Sequence, residues 1–262
     1  MEFLGDLSDF MMPYLGSVFL IMAVFSRMSV FLFLVPTIGE RTVSTRTRLV
    51  IALMLTWLLL PSVLGGVRPD MSTLGQVVAV FAKESIFGAF LGLSLRLMIF
   101  VLQIAGNIIS QMMSISQPLG EGIATEPNPT LSSAFMLAGV TLLVTMDFHI
   151  EAFGLLNQSY TVFPVGSSPD LDVFAYDLTK TVTGLFKITL SLAFPFILLN
   201  FIYNLLLGFV NRAMPQLLVS FVGMPAMIWI GMILLAISFG TILLIWVNEV
   251  QDQMFNLLSV AG

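Results

Sequence analysis

Asp147, His149 and Glu151 stand close together in "DFHIE", and these side-chain types could hold a metal or pass a proton. Their spacing argues against it. On a helix Asp147 and Glu151 share a face, while His149 points about 160° away. Three ligands on one side would need a strand, which the neighbouring "LAGVTLLVTM" does not demand. The trio reads as a polar helix terminus. No HExxH, P-loop, GxSxG or deaminase motif occurs. With one histidine and no cysteine, thiol catalysis, thiolate metal sites and disulfides are excluded, and a Ser/His nucleophile has no support. The chain reads as no enzyme, with no metal and no cofactor.

Other ionisable groups interrupt apolar stretches: Arg27, Lys83, Glu84, Arg96 and Lys187. A charge at membrane depth costs roughly 2.5–3.5 kcal/mol on insertion scales, so each needs a partner, water or a cavity. Lys83 and Glu84 are neighbours whose side chains diverge by about 100° on a helix, so they do not simply pair. Arg96 could snorkel if its block breaks near Gly92. Lys187, in "GLFKITLSLAFPF", is expected to face a subunit interface or water.

The elements that position these groups are apolar. Hydrophobic residues make up 58% of the chain and charged residues 10%, with mean hydropathy +1.01. A soluble domain carries about 25% charged residues, so the solvent here is lipid or other apolar protein. The net charge of -5 is small and no basic run suggests nucleic acid. The start, "MEFLGDLSDFMM", lacks the positive n-region of a signal peptide.

Six apolar blocks are expected as helices, near residues 11–36, 49–64, 71–113, 131–156, 179–210 and 215–247. The third is too long for one span of ~20 residues, with Gly88, Gly92 and Gly106 as candidate breaks. Pro195 and Pro225 should kink the last two. Between the blocks lie "TIGERTVSTRTR" with Arg41, Arg46 and Arg48, "GGVRPD" with Arg68 and Asp70, an acidic joint with Asp170, Asp172 and Asp177, and "NRAMPQ" with Arg212. If the three-arginine joint is cytoplasmic, both termini fall outside and the Arg212 joint inside. The segment Gln111–Thr130 would then be cytoplasmic, yet it holds no Lys or Arg.

"SRMSVFLFLVPTIGERTVSTRTRLVIALMLTWLLLP" resembles the N-terminal signature of the FliR family of the flagellar type III export gate, through Arg27, Pro36, Gly39, Arg48 and Pro61. "GAFLGLSLRLMIFVLQIAGNIISQM" is similar to that family's Gly-rich third block, with its Gln-x-x-Gly step at Gln103 and Gly106. "GFVNRAMPQLLVSFVGMPAMIWIGMILL" is similar to its C-terminal signature, carried by Asn211, Arg212, Pro215, Gln216, Gly223 and Pro225. The stretch "LLVSF" departs from the Asn-Val-Phe-like run of many relatives.

The resemblance implies an all-α integral membrane protein with about six long, partly kinked apolar helices. A FliP-like part, residues 1–177, would precede a FliQ-like helical hairpin, residues 178–262. The implied function is that of a core subunit which forms, with FliP and FliQ, the channel through which unfolded flagellar proteins leave the cytoplasm. FlhB and FlhA would lie nearby, in the flagellar basal body of the bacterial inner membrane. The implied plug is the loop at about 111–130. Gly120, Gly122, Pro118, Pro127 and Pro129 oppose a rigid helix there. Met112, Met113, Leu119 and Ile123 would seal apolar gaps, while Ser114, Ser116 and Gln117 tolerate water; Glu121 belongs to the same plug. The alternatives are the equivalent subunit of a virulence type III secretion system, or a stand-alone ion or solute transporter. No internal repeat relates the halves, as many transporters would show.

Overall fold

A computed structural model describes residues 2–39, 43–65, 69, 73–113, 130–213 and 219–260. Most of the described residues are helical, and none of them forms a strand. In chain order the helices are α1 (Glu2–Leu34), α2 (Thr45–Leu64), α3 (Leu74–Met112), α4 (Thr130–Thr145), α5 (Phe148–Val162), α6 (Leu171–Ala213) and α7 (Val219–Val260). Five are long and apolar enough to cross a membrane, or six if the bent pair α4–α5 counts as one span. Helices are the expected answer: with no water in the bilayer core, each backbone N–H and C=O must be paired within its own segment. The all-α membrane class read from composition therefore holds.

Three sequence expectations change. The third block does not break: α3 runs unbroken through Gly88, Gly92 and Gly106. A helical glycine costs only about 1 kcal/mol relative to alanine, and here the missing Cβ admits neighbouring helices instead. An added Cβ at Gly88 would run into the Arg27 carbonyl oxygen, and one at Gly106 would sit 2.8 Å from Ser132 Cα. The fourth block does break, by 71° between α4 and α5. Asp147 forms the elbow with φ 56. Asp visits this left-handed region more readily than branched residues do. Finally, α6 starts at Leu171, ahead of the expected boundary, because Asp170 Oδ1 accepts from the N–H groups of Asp172 and Val173 and caps it. Pro195 and Pro225 lie inside α6 and α7, which continue past them.

The chain divides into two compact units. The first comprises Met1–Arg96, Leu143–Lys180 and Asp252–Gly262. Its core is aromatic: Phe87 stacks on Phe163 at 4.8 Å, and Phe90 on Phe174 at 4.1 Å. The second comprises Leu97–Leu142 and Thr181–Gln251. It is built around Trp246, which is fully buried and donates its indole N–H to Met98 O at 2.8 Å. Phe135 packs on Phe239 at 5.2 Å.

Helix length bears on function. At 1.5 Å per residue, the 43 residues of α6 and 42 of α7 reach over ~60 Å, about twice the hydrocarbon thickness. Much of their surface is both apolar and exposed, including Phe201, Phe209, Trp229 and Ile237. Helices this long leave exposed apolar surface for lipid or other apolar protein to cover.

Candidate functional site: a buried arginine–glutamate junction

The strongest polar feature lies inside the first unit. Arg27 comes from the middle of α1, within "FSRMS", and Glu84 from the second turn-pair of α3, within "AKESI". Glycines set the crossing. Gly88 faces the Arg27 backbone, and Gly92 faces Phe31, so α1 and α3 approach more closely than any side chain would permit. That approach brings Arg27 Nε to 2.7 Å from Glu84 Oε2, with both side chains fully buried.

The rest of the guanidinium is also satisfied. Nη1 donates to Ser159 Oγ at 3.1 Å and Nη2 to Phe163 O at 3.0 Å. The plane lies over the rings of Tyr160, at 4.1 Å, and Phe87, at 4.7 Å. The second carboxylate oxygen, Glu84 Oε1, accepts the Gly166 N–H at 3.0 Å. Lys83 Nζ donates to Gly166 O at 3.4 Å. The two neighbours Lys83 and Glu84, which diverge as expected, thus hold the two polar groups of one residue. Gly166 has φ +83, a conformation that a side chain would strain.

A smaller hydroxyl pair sits beside the junction, Ser26 Oγ and Ser85 Oγ at 2.7 Å. Tyr160 donates to Val24 O at 3.3 Å. Together α1, α3, α5 and the turn into α6 are joined by polar bonds in an apolar core. Nothing in this arrangement is poised for a reaction. The charges are neutralised by fixed partners, and no nucleophile or open coordination position is present. Its chemistry is positional: it fixes how the turn at 163–166 sits on α1 and α3. Among the described residues no group of three or more His, Asp and Glu converges for a metal. Asp147 sits exposed at the elbow, with Glu151 in the first turn of α5.

A profile described as bacterial export proteins, family 1, matches residues 18–253. The chain belongs to that family.

Full-length family members agree. The Flagellar biosynthetic protein FliR of Caulobacter vibrioides is 31% identical over 230 residues, covering 87% of this chain and 92% of the relative. The protein of that name from Escherichia coli is 28% identical, covering 86% of this chain and 85% of its own length. That of Bacillus subtilis is 26% identical, covering 91% and 94%. The FliR-family resemblance read from the sequence is borne out.

Several of the residues that carry the resemblance in the sequence lie where helices meet. Pro36 follows the end of α1, and at Gly39 an added Cβ would fall 2.5 Å from Val35 O, so the turn closes tightly. Arg48, in the first turn of α2, lies over the Phe33 ring at 5.4 Å. Pro61 is in the last turn of α2. Gln103 O accepts from Ser132 Oγ at 2.7 Å where Gly106 lets α4 approach α3. Gly223 faces Tyr203, so α6 and α7 touch there. Pro225 follows in α7, while Asn211 and Arg212 are exposed in the last turn of α6, where a cation suits the helix dipole. Pro215 and Gln216 lie outside the described residues, as do Arg41, Arg68 and Asp70. Lys187 is exposed on α6 between Phe186 and Leu190.

Of the plug residues, Met112 ends α3, and its carbonyl accepts from Asn200 Nδ2 at 2.6 Å. Met113 is fully buried against Gly231. Ser114, Ser116, Gln117, Pro118, Leu119, Gly120, Glu121, Gly122 and Ile123 lie outside the described residues.

Sequence reasoning marked Arg27 and Glu84 as charges in need of partners, but did not join them. It passed over Ser159, Tyr160 and Gly166, whose types carry no signal until the fold brings them to the arginine. The usable clue was a pair of opposite charges, each set within an apolar block.

Proposed function

We propose that this chain is a core subunit of the flagellar type III protein export gate, which forms with FliP and FliQ the channel that unfolded flagellar proteins use to leave the cytoplasm. The observation that carries this reading is the family match across residues 18–253, with near full-length relatives named for flagellar biosynthesis. One physical feature supports it. The chain's long, exposed apolar helices suit a subunit that is covered by neighbours.

In this reading residues 1–177 form a FliP-like part and 178–262 a FliQ-like hairpin, with FlhB and FlhA nearby in the inner membrane at the flagellar basal body. The 111–130 segment acts as a displaceable plug: a conduit wide enough for an unfolded chain leaks ions unless something fills it. The test is affinity isolation of the tagged chain from detergent-extracted membranes, with native mass measurement. A particle containing FliP and FliQ supports the proposal. A small homo-oligomer of this chain alone, together with normal motility and filament export in a deletion strain, overturns it.

A further inference from the structure

The five candidate spans differ in one respect that composition hides. α3, α6 and α7 greatly exceed the bilayer thickness, and α1 continues well N-terminal of its apolar window. The 20 residues of α2 give ~30 Å, which equals the hydrocarbon thickness.

The two faces of α2 differ in kind. Its inward face carries small residues, Ala52 and Thr56, both buried, and α2 packs on α1. Thr56 Oγ1 donates to Ala52 O at 2.7 Å, so its hydroxyl is satisfied within the helix. The outward face is a continuous stripe of Leu49, Val50, Leu53, Met54, Trp57 and Leu58, with Met54 68% and Trp57 71% exposed. No glycine, alanine, serine or amide interrupts that stripe. Helix–helix contacts in membranes favour small residues that allow close approach and polar groups that bond across. This stripe has neither, and large branched side chains are what acyl chains solvate best. The N-terminal end of α2 carries Arg46, exposed, and Arg48, half-buried with its guanidinium over Phe33, and cations at a helix end suit the negative headgroups of an anionic leaflet.

We propose that the outer face of α2 is a lipid-facing surface of the assembled particle: acyl chains cover Leu49–Leu58, and Arg46 and Arg48 lie at the level of anionic headgroups. α2 then fixes how deep the first unit sits. The Arg-bearing end marks one hydrocarbon boundary and the Pro61–Leu64 turn the other. The inference stands apart from the export reading, since it concerns what touches one helix face and not what the particle transports.

The chain contains no cysteine, which makes a site-directed spin label on it selective. Leu53→Cys, Met54→Cys and Trp57→Cys, each in the isolated membrane particle reconstituted in bilayers containing phosphatidylglycerol, are labelled with a nitroxide. The unmodified particle supplies the background, and Thr56→Cys the inward control. Collisions with oxygen, which concentrates in acyl chains, and with a neutral water-soluble nickel chelate are then compared. The expected result is high oxygen and low nickel accessibility at all three outward positions, greatest at Met54 near the helix midpoint and several-fold above Thr56. Low accessibility to both reagents at the three positions means that protein covers the face and overturns the proposal. High nickel accessibility means water and overturns it equally. All three side chains are mostly exposed, so if one variant fails to fold the other two decide.

Discussion

Arg27 Nε and Glu84 Oε2 lie 2.7 Å apart across 57 residues of sequence, and neither side chain has any solvent exposure. A buried ion pair of this kind is weak evidence for net stability, because desolvation offsets much of the attraction. Its loss on one side only is another matter. Glu84→Ala leaves a guanidinium buried without its charge partner and leaves the Gly166 N–H unpaired. The expected cost is about 3–5 kcal/mol, read as a lowered unfolding midpoint in detergent and reduced recovery of the particle. Arg27→Met with Glu84→Leu should cost clearly less than the sum of the single changes, because neither charge is then stranded. Additive effects would show that the two side chains are not coupled.

The α1–α3 crossing gives a sharper contrast between glycines. At Gly88 an added Cβ meets the Arg27 carbonyl, which is backbone and cannot swing aside. Gly88→Ala should therefore destabilise by about 1–3 kcal/mol, as overpacking does. Gly184, within α6, has nothing within 4 Å of an added Cβ. Gly184→Ala should be neutral or stabilising by up to about 1 kcal/mol through helix propensity. Thermal unfolding of the two variants side by side checks this. Equal effects would mean that the close approach at Gly88 does not matter.

Lys187 is exposed on an apolar face of α6. In the proposed gate we expect it to meet water or an acidic group of another chain, since an unpaired ammonium in lipid costs roughly 2.5–3.5 kcal/mol. Lys187→Met should lower the yield of the complete particle while leaving membrane insertion of the chain unchanged. The measurement is the ratio of particle-bound to total chain in extracted membranes. An unchanged ratio with full export would show instead a lysine that snorkels to the surface.

The plug proposal is tested by shortening it. Deletion of Pro118–Glu126 should let the assembled gate conduct ions and small solutes across the inner membrane, slowing growth when expression is raised. Leakage is measured with a membrane-potential dye in cells whose particle recovery equals the parent's. A deletion particle that assembles and stays tight would remove the plug role from this segment.

The sequence by itself determined the class and the family. Apolar runs with few charges leave helices as the only spanning structure, whatever the tertiary arrangement. Three stretches in order, around Arg27 to Pro61, Gln103 to Gly106 and Asn211 to Pro225, carried the family resemblance together. The sequence also showed that Arg27 and Glu84 each needed a partner, since the cost of a buried charge depends on its surroundings alone. Only the tertiary structure decided which partners they took. Helix periodicity assigns a residue to a face but does not say which distant face it meets. That choice depended on α1 and α3 crossing at Gly88 and Gly92, on the left-handed elbow at Asp147 that redirects the chain into α5, and on the turn that brings Gly166 over Lys83 and Glu84. The unbroken course of α3 was decided in the same way. A glycine weakens an isolated helix, but where its missing Cβ admits another helix, packing contacts outweigh that loss.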